Sequence, residues 1–171
     1  MGIYEIIRKR WSVRAYLDDP VPDEVLNRLL EAARWAPSAR NLQPYRLIVV
    51  QDRQRRQELA RAANEQLFIA EAPVVIAAVS LDPEHAMSCG VPAYAVDAAI
   101  AVDHLILAAA AEGLGTCWIG AFSQDRVRRV LGVPETCKVV ILTPLGYPAD
   151  EVPVDRSRKP MSDLVCYERF G

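Results

Sequence analysis

The chain has 171 residues, a formal net charge of -2, and hydrophobic residues at half of its positions. That length predicts one domain spanning 1–171, large enough to bury a core without disulfide staples. The acidic balance argues against nucleic acid as the main partner, because such binding needs a basic face. Cys89, Cys117, Cys137 and Cys166 form no C-x-x-C pair. With only His85 and His104 to help them, no zinc spacing can be written, so reduced thiols in a cytoplasmic protein are expected and no metal. The start, MGIYEIIRKRW, has no apolar core of a signal peptide. The longest apolar run, Ala98 to Ala111, is broken by Asp103 and His104 and is too short to predict a membrane span.

In chain order, Ile3, Ile6 and Ile7 predict a short first helix. Val25, Leu26, Leu29, Leu30 and Ala33 recur at helical spacing, and Pro37 stops that helix. Tyr45 to Val50 reads as a strand. Asp52 is placed to cap a helix running to about Ala63, and a short helix around Gln66 to Glu71 ends before Pro73. Val74 to Ser80 is a β-branched run that predicts a buried strand. Residues 81–93 form a loop. Tyr94 to Glu112 predicts a long helix that is apolar nearly all round, and such a helix must be buried on every side. Either it helps to form a dimer core or it is wrapped within its own subunit. Thr116 to Ile119 is a short strand, Ser123 caps a helix ending at Gly132, and Lys138 to Leu145 is a further strand. Residues 147–171 show little periodicity and predict an extended C-terminal arm. Interleaved helices and strands without hairpin turns give an α+β or α/β class, three-layered around four or five strands.

Several short motifs carry chemical options. Gly113 and Gly115 suggest a dinucleotide fingerprint, but that motif follows a strand and opens a helix. Here the glycines close a helix, so one of them is expected to cap it. Arg10, Ser12 and Arg14 alternate along an extended segment and would share one side. Two guanidiniums and a hydroxyl suit a phosphate, although a solvated charged turn would read the same. Arg156 and Arg158 form a second basic pair in the arm, and four such arginines in an acidic protein would repel without an anion. Ser38, Asn41 and Gln43 lie between Pro37 and Pro44 and could read hydroxyls or a carbonyl edge, or simply stabilise the loop. Asp97 and His104, seven residues apart on one helix face, predict a buried acid–imidazole contact. Nothing in the chain forms a triad or a paired-carboxylate signature.

Taken in order, RWSVRAY, APSARNLQP, the AVDAAIAVDHLILAAAAEGLGTCWIGAF run, PLGYPAD and RSRKPMSDLV span nearly the whole chain. In this combination the chain resembles the short form of the nitroreductase family of FMN-dependent oxidoreductases. The resemblance implies an α+β three-layer sandwich with a central mixed four- to five-stranded sheet, flanked by helices and forming an intertwined homodimer with FMN at the interface. It implies that Arg10, Trp11, Ser12 and Arg14 contact the cofactor and that Arg156 and Arg158 complete the phosphate site. Pro37, Ser38, Ala39, Asn41 and Gln43 would come from the other subunit. Backbone at Ile119 and Gly120 would face flavin N5, and Asn64 would contact the ring.

The same resemblance implies hydride from NADH or NADPH reaching flavin N5, then electrons passing to a small oxidant such as a nitroaromatic or quinone in a ping-pong scheme. A dehalogenase, ene reductase or flavin-fragmenting enzyme of the same fold, or a non-catalytic flavin-binding dimer, are the alternatives. Trp11 stands where the family often has Arg or His, Tyr45 where Trp is usual, and Leu67 where some members place Lys. Met87, Tyr94 and Phe122 are candidate walls of the pocket.

Overall fold

The computed structural model describes residues 2–151 and 156–170, so 152–155 and 171 of the expected C-terminal arm lie outside it. In chain order the elements are α1 Ile3–Lys9, α2 Asp23–Arg34, β1 Tyr45–Val50, α3 Arg53–Ala62, α4 Phe68–Glu71, β2 Val74–Ser80, α5 Ala93–Ala111, β3 Gly115–Thr116, α6 Gln124–Leu131 and β4 Lys138–Gly146. Asp52 and Ser123 cap α3 and α6 as predicted, each side chain accepting from a backbone N–H three residues on.

The sheet order is β1-β2-β4-β3. β2 occupies the centre, and all seven of its residues are buried. Its side chains divide with the period of two that a strand imposes. Val75, Ala77 and Val79 pack with Leu59, Ala62 and Val127 from α3 and α6. Val74 and Ile76 pack on the other face with Leu29 of α2 and Leu105 of α5, and Ala78 meets Ala98, Val102 and Ile106 of α5. This makes three layers, helix–sheet–helix. It also explains why β2 reads as a continuous apolar run instead of an alternating one.

The sheet departs from the expected mixed pattern. Every ladder is antiparallel: Tyr45 to Val50 against Ser80 to Val75, Val74 to Ser80 against Leu145 to Lys138 with one irregularity at Ala78/Val79, and Gly115 and Thr116 against Gly146 and Leu145. The reason lies in the connection. Nineteen residues of α5 rise about 28 Å and return the chain to the end of the sheet where β2 began. β3 then does run in the direction of β2, but β4 inserts between them and no parallel ladder forms. The one parallel pairing among the described residues is an isolated bridge between Ser12 and Thr116.

By length and composition α5 could cross a bilayer. In this fold it is the core helix between sheet and α2, with Ala98, Ala101, Val102, Leu105, Ile106 and Ala109 buried. Its remaining surface is only half covered; it is apolar at Val96, Ala99, Ile100 and Leu107 and polar at exposed Asp103 and half-buried His104. Arg28 of α2 donates to both carboxylate oxygens of Glu112 just past the end of α5, at 2.7 and 3.0 Å.

Gly113, with φ of +79°, is the residue that ends α5. Gly115 is glycine for another reason. A Cβ there would collide with Val13 Cγ2 and lie 2.8 Å from Val13 Cβ. Its absence lets the segment after α1 press against β3, where Val13 N–H donates to Thr116 O at 2.9 Å. Replacing Gly115 with Ala must displace that segment. Overpacking of this kind costs about 1–3 kcal/mol, so Gly115→Ala should lower Tm by roughly 2–12 °C in a thermal melt. An unchanged Tm would show that the segment yields freely.

Candidate active site

The segment from Arg10 to Tyr16 lies along β3 as an extended strip. Leu17 N–H to Tyr147 O and Ala149 N–H to Ala15 O continue its pairing toward the chain end. Alternation does what the sequence predicts. Val13 is fully buried, Ser12 is half-buried and Arg14 is exposed. Trp11, expected at the cofactor, is half-buried and packs beside Val13, Tyr16 and Ala72. An indole in place of a cation at this position is therefore bound up with the fold of the segment.

Cys117 marks how close these groups lie. Burial pushes its thiol above the usual range, while the Arg14 guanidinium, a hydrogen bond with Ser12 and the Arg10 guanidinium pull it down. Among the described residues Arg10, Arg14 and Arg158 have no carboxylate partner. Arg156 differs. Its guanidinium donates to the carbonyls of Arg8, Lys9 (3.3 Å) and Arg10 (2.6 Å). These carbonyls form the negative end of α1, which a cation favours. Arg156 thus secures the backbone that carries Arg10, a contact that the sequence did not predict.

Farther along the same edge, Ile119 pairs with Leu142, three residues from Leu145, the partner of Thr116. That places Ile119 about 10 Å along β4 from Thr116, and Gly120 is the next residue. Both backbone groups of Ile119 are occupied, its N–H by Leu142 O at 2.9 Å and its C=O by Leu142 N–H at 3.1 Å. The Ile119 N–H is therefore already paired within the sheet, and its C=O keeps one lone pair. Gly120 is exposed, and nothing lies within 4 Å of where its Cβ would stand. Gln66 ties this loop to α3, donating to Ala63 O at 2.8 Å and Ala121 O at 3.1 Å. Asn64, beside it, is exposed with a left-handed φ of +57°.

The loop from Pro37 to Pro44 is built by its own polar groups. Gln43 N–H donates to Ser38 Oγ at 3.0 Å, and Gln43 Nε2 donates to both Asn41 O and Asn41 Oδ1. Arg40, Asn41 and Gln43 all hold positive φ, which costs non-glycine residues energy and needs support. Asp97 supplies part of that support: Ala39 N–H donates to Asp97 Oδ1 at 2.9 Å. The predicted acid–imidazole contact with His104 is replaced by this one, since an N–H brought in by the loop lies nearer than a side chain two turns away. Asp97 is 3% exposed, and its second oxygen, Oδ2, has no partner.

One chain does not bring its two clusters together. The loop 37–43 leads into β1, at the sheet end marked by Tyr45 and Ser80, while Arg10 to Arg14 sit by β3 at the end marked by Gly146. They lie on opposite edges and at opposite ends. Three strand spacings span about 14 Å and the length of β4 about 26 Å, too far for one small ligand. The candidate walls divide likewise, with Phe122 near Gly120 and Met87 in the 81–92 loop, whose Leu81 N–H bonds Pro44 O.

Comparison with known proteins decides the family: residues 7–86 and 63–147 match the nitroreductase family. The chain belongs to that family. It is an oxidoreductase. Similar proteins include an NADH dehydrogenase of Thermus thermophilus, 36% identical over 84% of this chain and 85% of the relative. The fold matches a nitroreductase family protein from Clostridium difficile 630 with a TM-score of 0.90 and 31% identity, covering 99% of this chain and all of the other. It also matches an NADPH:FMN oxidoreductase from Vibrio harveyi solved with NAD+, at TM-score 0.89 and 27% identity, covering 99% and 78%.

Asp97 was missed as a support of the 37–44 loop because helical spacing showed only its neighbours along α5. The carbonyl partners of Arg156 were not foreseen, because backbone acceptors leave no trace in a sequence. Removing the Asp97 carboxylate strands a nearly buried N–H, at a cost of about 1–3 kcal/mol. Asp97→Ala should therefore lower Tm and speed proteolytic cleavage within 37–43, whereas His104→Gln should leave both unchanged. Cys117, buried and with its thiol pushed up, should resist iodoacetamide at pH 8 in the folded protein while exposed Cys89 reacts. Mass spectrometry of labelled peptides checks this.

Proposed function

We propose that the chain is an FMN-dependent reductase that takes hydride from NADH or NADPH and reduces a small oxidant such as a nitroaromatic or quinone. It would work as a homodimer whose two sites each draw on both chains. The observation that carries this reading is the edge strip: guanidiniums without carboxylate partners beside Thr116 and the exposed Gly120 farther along the same edge.

The residues present fit FMN. Arg10, Ser12 and Arg158 are suited to the phosphate, because guanidinium forks match its oxygens. Arg14 is suited to the carbonyl edge of the ring, where a fixed cation stabilises negative charge. Gly120 leaves room for close approach of the ring, and Asn64 stands beside it. Pro37, Ser38, Ala39, Asn41 and Gln43 would be the second chain's share, with Ala39 N–H held back by Asp97. When bound, FMN supplies the redox chemistry, accepting two electrons and a proton as hydride and passing two electrons to the oxidant. The strip holds no acid–base pair, in keeping with chemistry that belongs to a cofactor.

Two further features support the dimer. The half-covered apolar residues of α5 need a partner. The described part of the C-terminal arm exposes Met161, Leu164, Tyr167 and Phe170, at 61–99%, more apolar surface than a short tail leaves in water without a partner.

The purified protein should show a flavin absorption spectrum that bleaches anaerobically with NADH or NADPH, and light scattering should give a dimer. Arg10→Ala combined with Arg158→Ala removes two charge-assisted contacts of about 1.5–3 kcal/mol each. FMN affinity should fall at least a hundredfold. Full flavin occupancy in that variant would overturn the phosphate assignment, and a spectrum that no donor bleaches would overturn the reductase reading.

A further inference from the structure

We propose that Arg61 and Arg126, on the adjoining ends of α3 and α6, form the anion site that takes the phosphate groups of the nicotinamide donor. The inference rests on the reductase reading above and assigns residues that it leaves unused. Ser123 N–H donates to Ala62 O at 2.9 Å, and Gln66 bonds Ala121 O, so the exit of α3 and the entry of α6 are fastened directly to the Gly120 loop. Arg61 immediately precedes Ala62. Arg126 lies one turn into α6, its N–H accepted by Ser123 Oγ. With Arg129, Ala62, Val130 and Glu58 they line a pocket of about 240 Å³.

The charge balance of this pocket calls for an anion. The guanidiniums of Arg61 and Arg126 have neither a hydrogen bond nor an ion pair among the described residues. The nearby acids are engaged elsewhere: Asp125 Oδ1 accepts from Arg128 at 2.6 Å, and Glu58 Oε1 accepts from Gln54 at 3.0 Å. Arg129 bonds only the backbone carbonyl of Asp125, at 3.2 Å. Glu58 is the single carboxylate facing three guanidiniums across the pocket.

Its place is the second part of the case. A donor whose nicotinamide reaches Gly120 must lay its remaining length across the neighbouring surface. The α3–α6 junction is fastened to that loop and belongs to the helical layer opposite α5. A dinucleotide carries two phosphates in its bridge, and NADPH adds a third on the adenosine ribose. Guanidinium forks match both.

The test uses the flavin-loaded protein and calorimetric titration with NADP+, NAD+ and adenosine 2′,5′-bisphosphate, which need no turnover. Arg61→Ala with Arg126→Ala should weaken nucleotide binding by about tenfold or more and flatten its dependence on salt, while flavin content and dimer mass stay unchanged. Weakening confined to NADP+ and the bisphosphate assigns the 2′-phosphate, and equal weakening of NAD+ and NADP+ assigns the bridge. Arg61→Lys should restore part of the affinity. If wild-type protein binds either nucleotide and the double variant binds it equally well, the anion site is overturned while the reductase reading stands. Wild-type protein that holds flavin yet binds neither nucleotide and is bleached by neither donor overturns both.

Discussion

A strand buried on both faces leaves a small protein only the edges and ends of its sheet for chemistry. β2 imposes that constraint. α2 and α5 cover one face and α3, α4 and α6 the other. The arginine strip lies beside β3 and the polar loop enters β1, at the two edges that these layers leave open.

The separation of these two groups follows from the same geometry. α5 is long enough to carry the chain from one end of the sheet to the other, and β4 then fills the gap beside β2. The two edges are thereby set diagonally apart. In the proposed homodimer, the half-covered helix between them is where a second copy would bring its loop to the first copy's strip. Burial of that helix and completion of the site would then be one event.

Much of this was legible in the sequence. Element positions followed from apolar period and from caps such as Asp52 and Ser123, whose action is local and needs no tertiary knowledge. Alternation placed Ser12 and Arg14 opposite Val13 correctly. Strand direction was not legible, since interleaved helices suggest parallel crossovers and only the insertion of β4 removes them. Partners of single polar groups were not legible either. Asp97 finds an N–H from a loop 58 residues away, Arg156 finds carbonyls at the other end of the chain, and Ile119 turns both of its backbone groups to β4. Each of these depends on through-space proximity that spacing along the chain does not encode.

The close fit of Val13 against Gly115 has a meaning beyond the site. β3 is the last strand of the sheet, and a two-residue edge with free N–H and C=O groups invites pairing with any extended chain nearby. The segment bearing Arg10, Ser12 and Arg14 already occupies that position, through the Ser12–Thr116 bridge. The segment that carries these arginines therefore also guards the edge against aggregation. A change that lifts it away would expose the β3 edge to pairing with other chains.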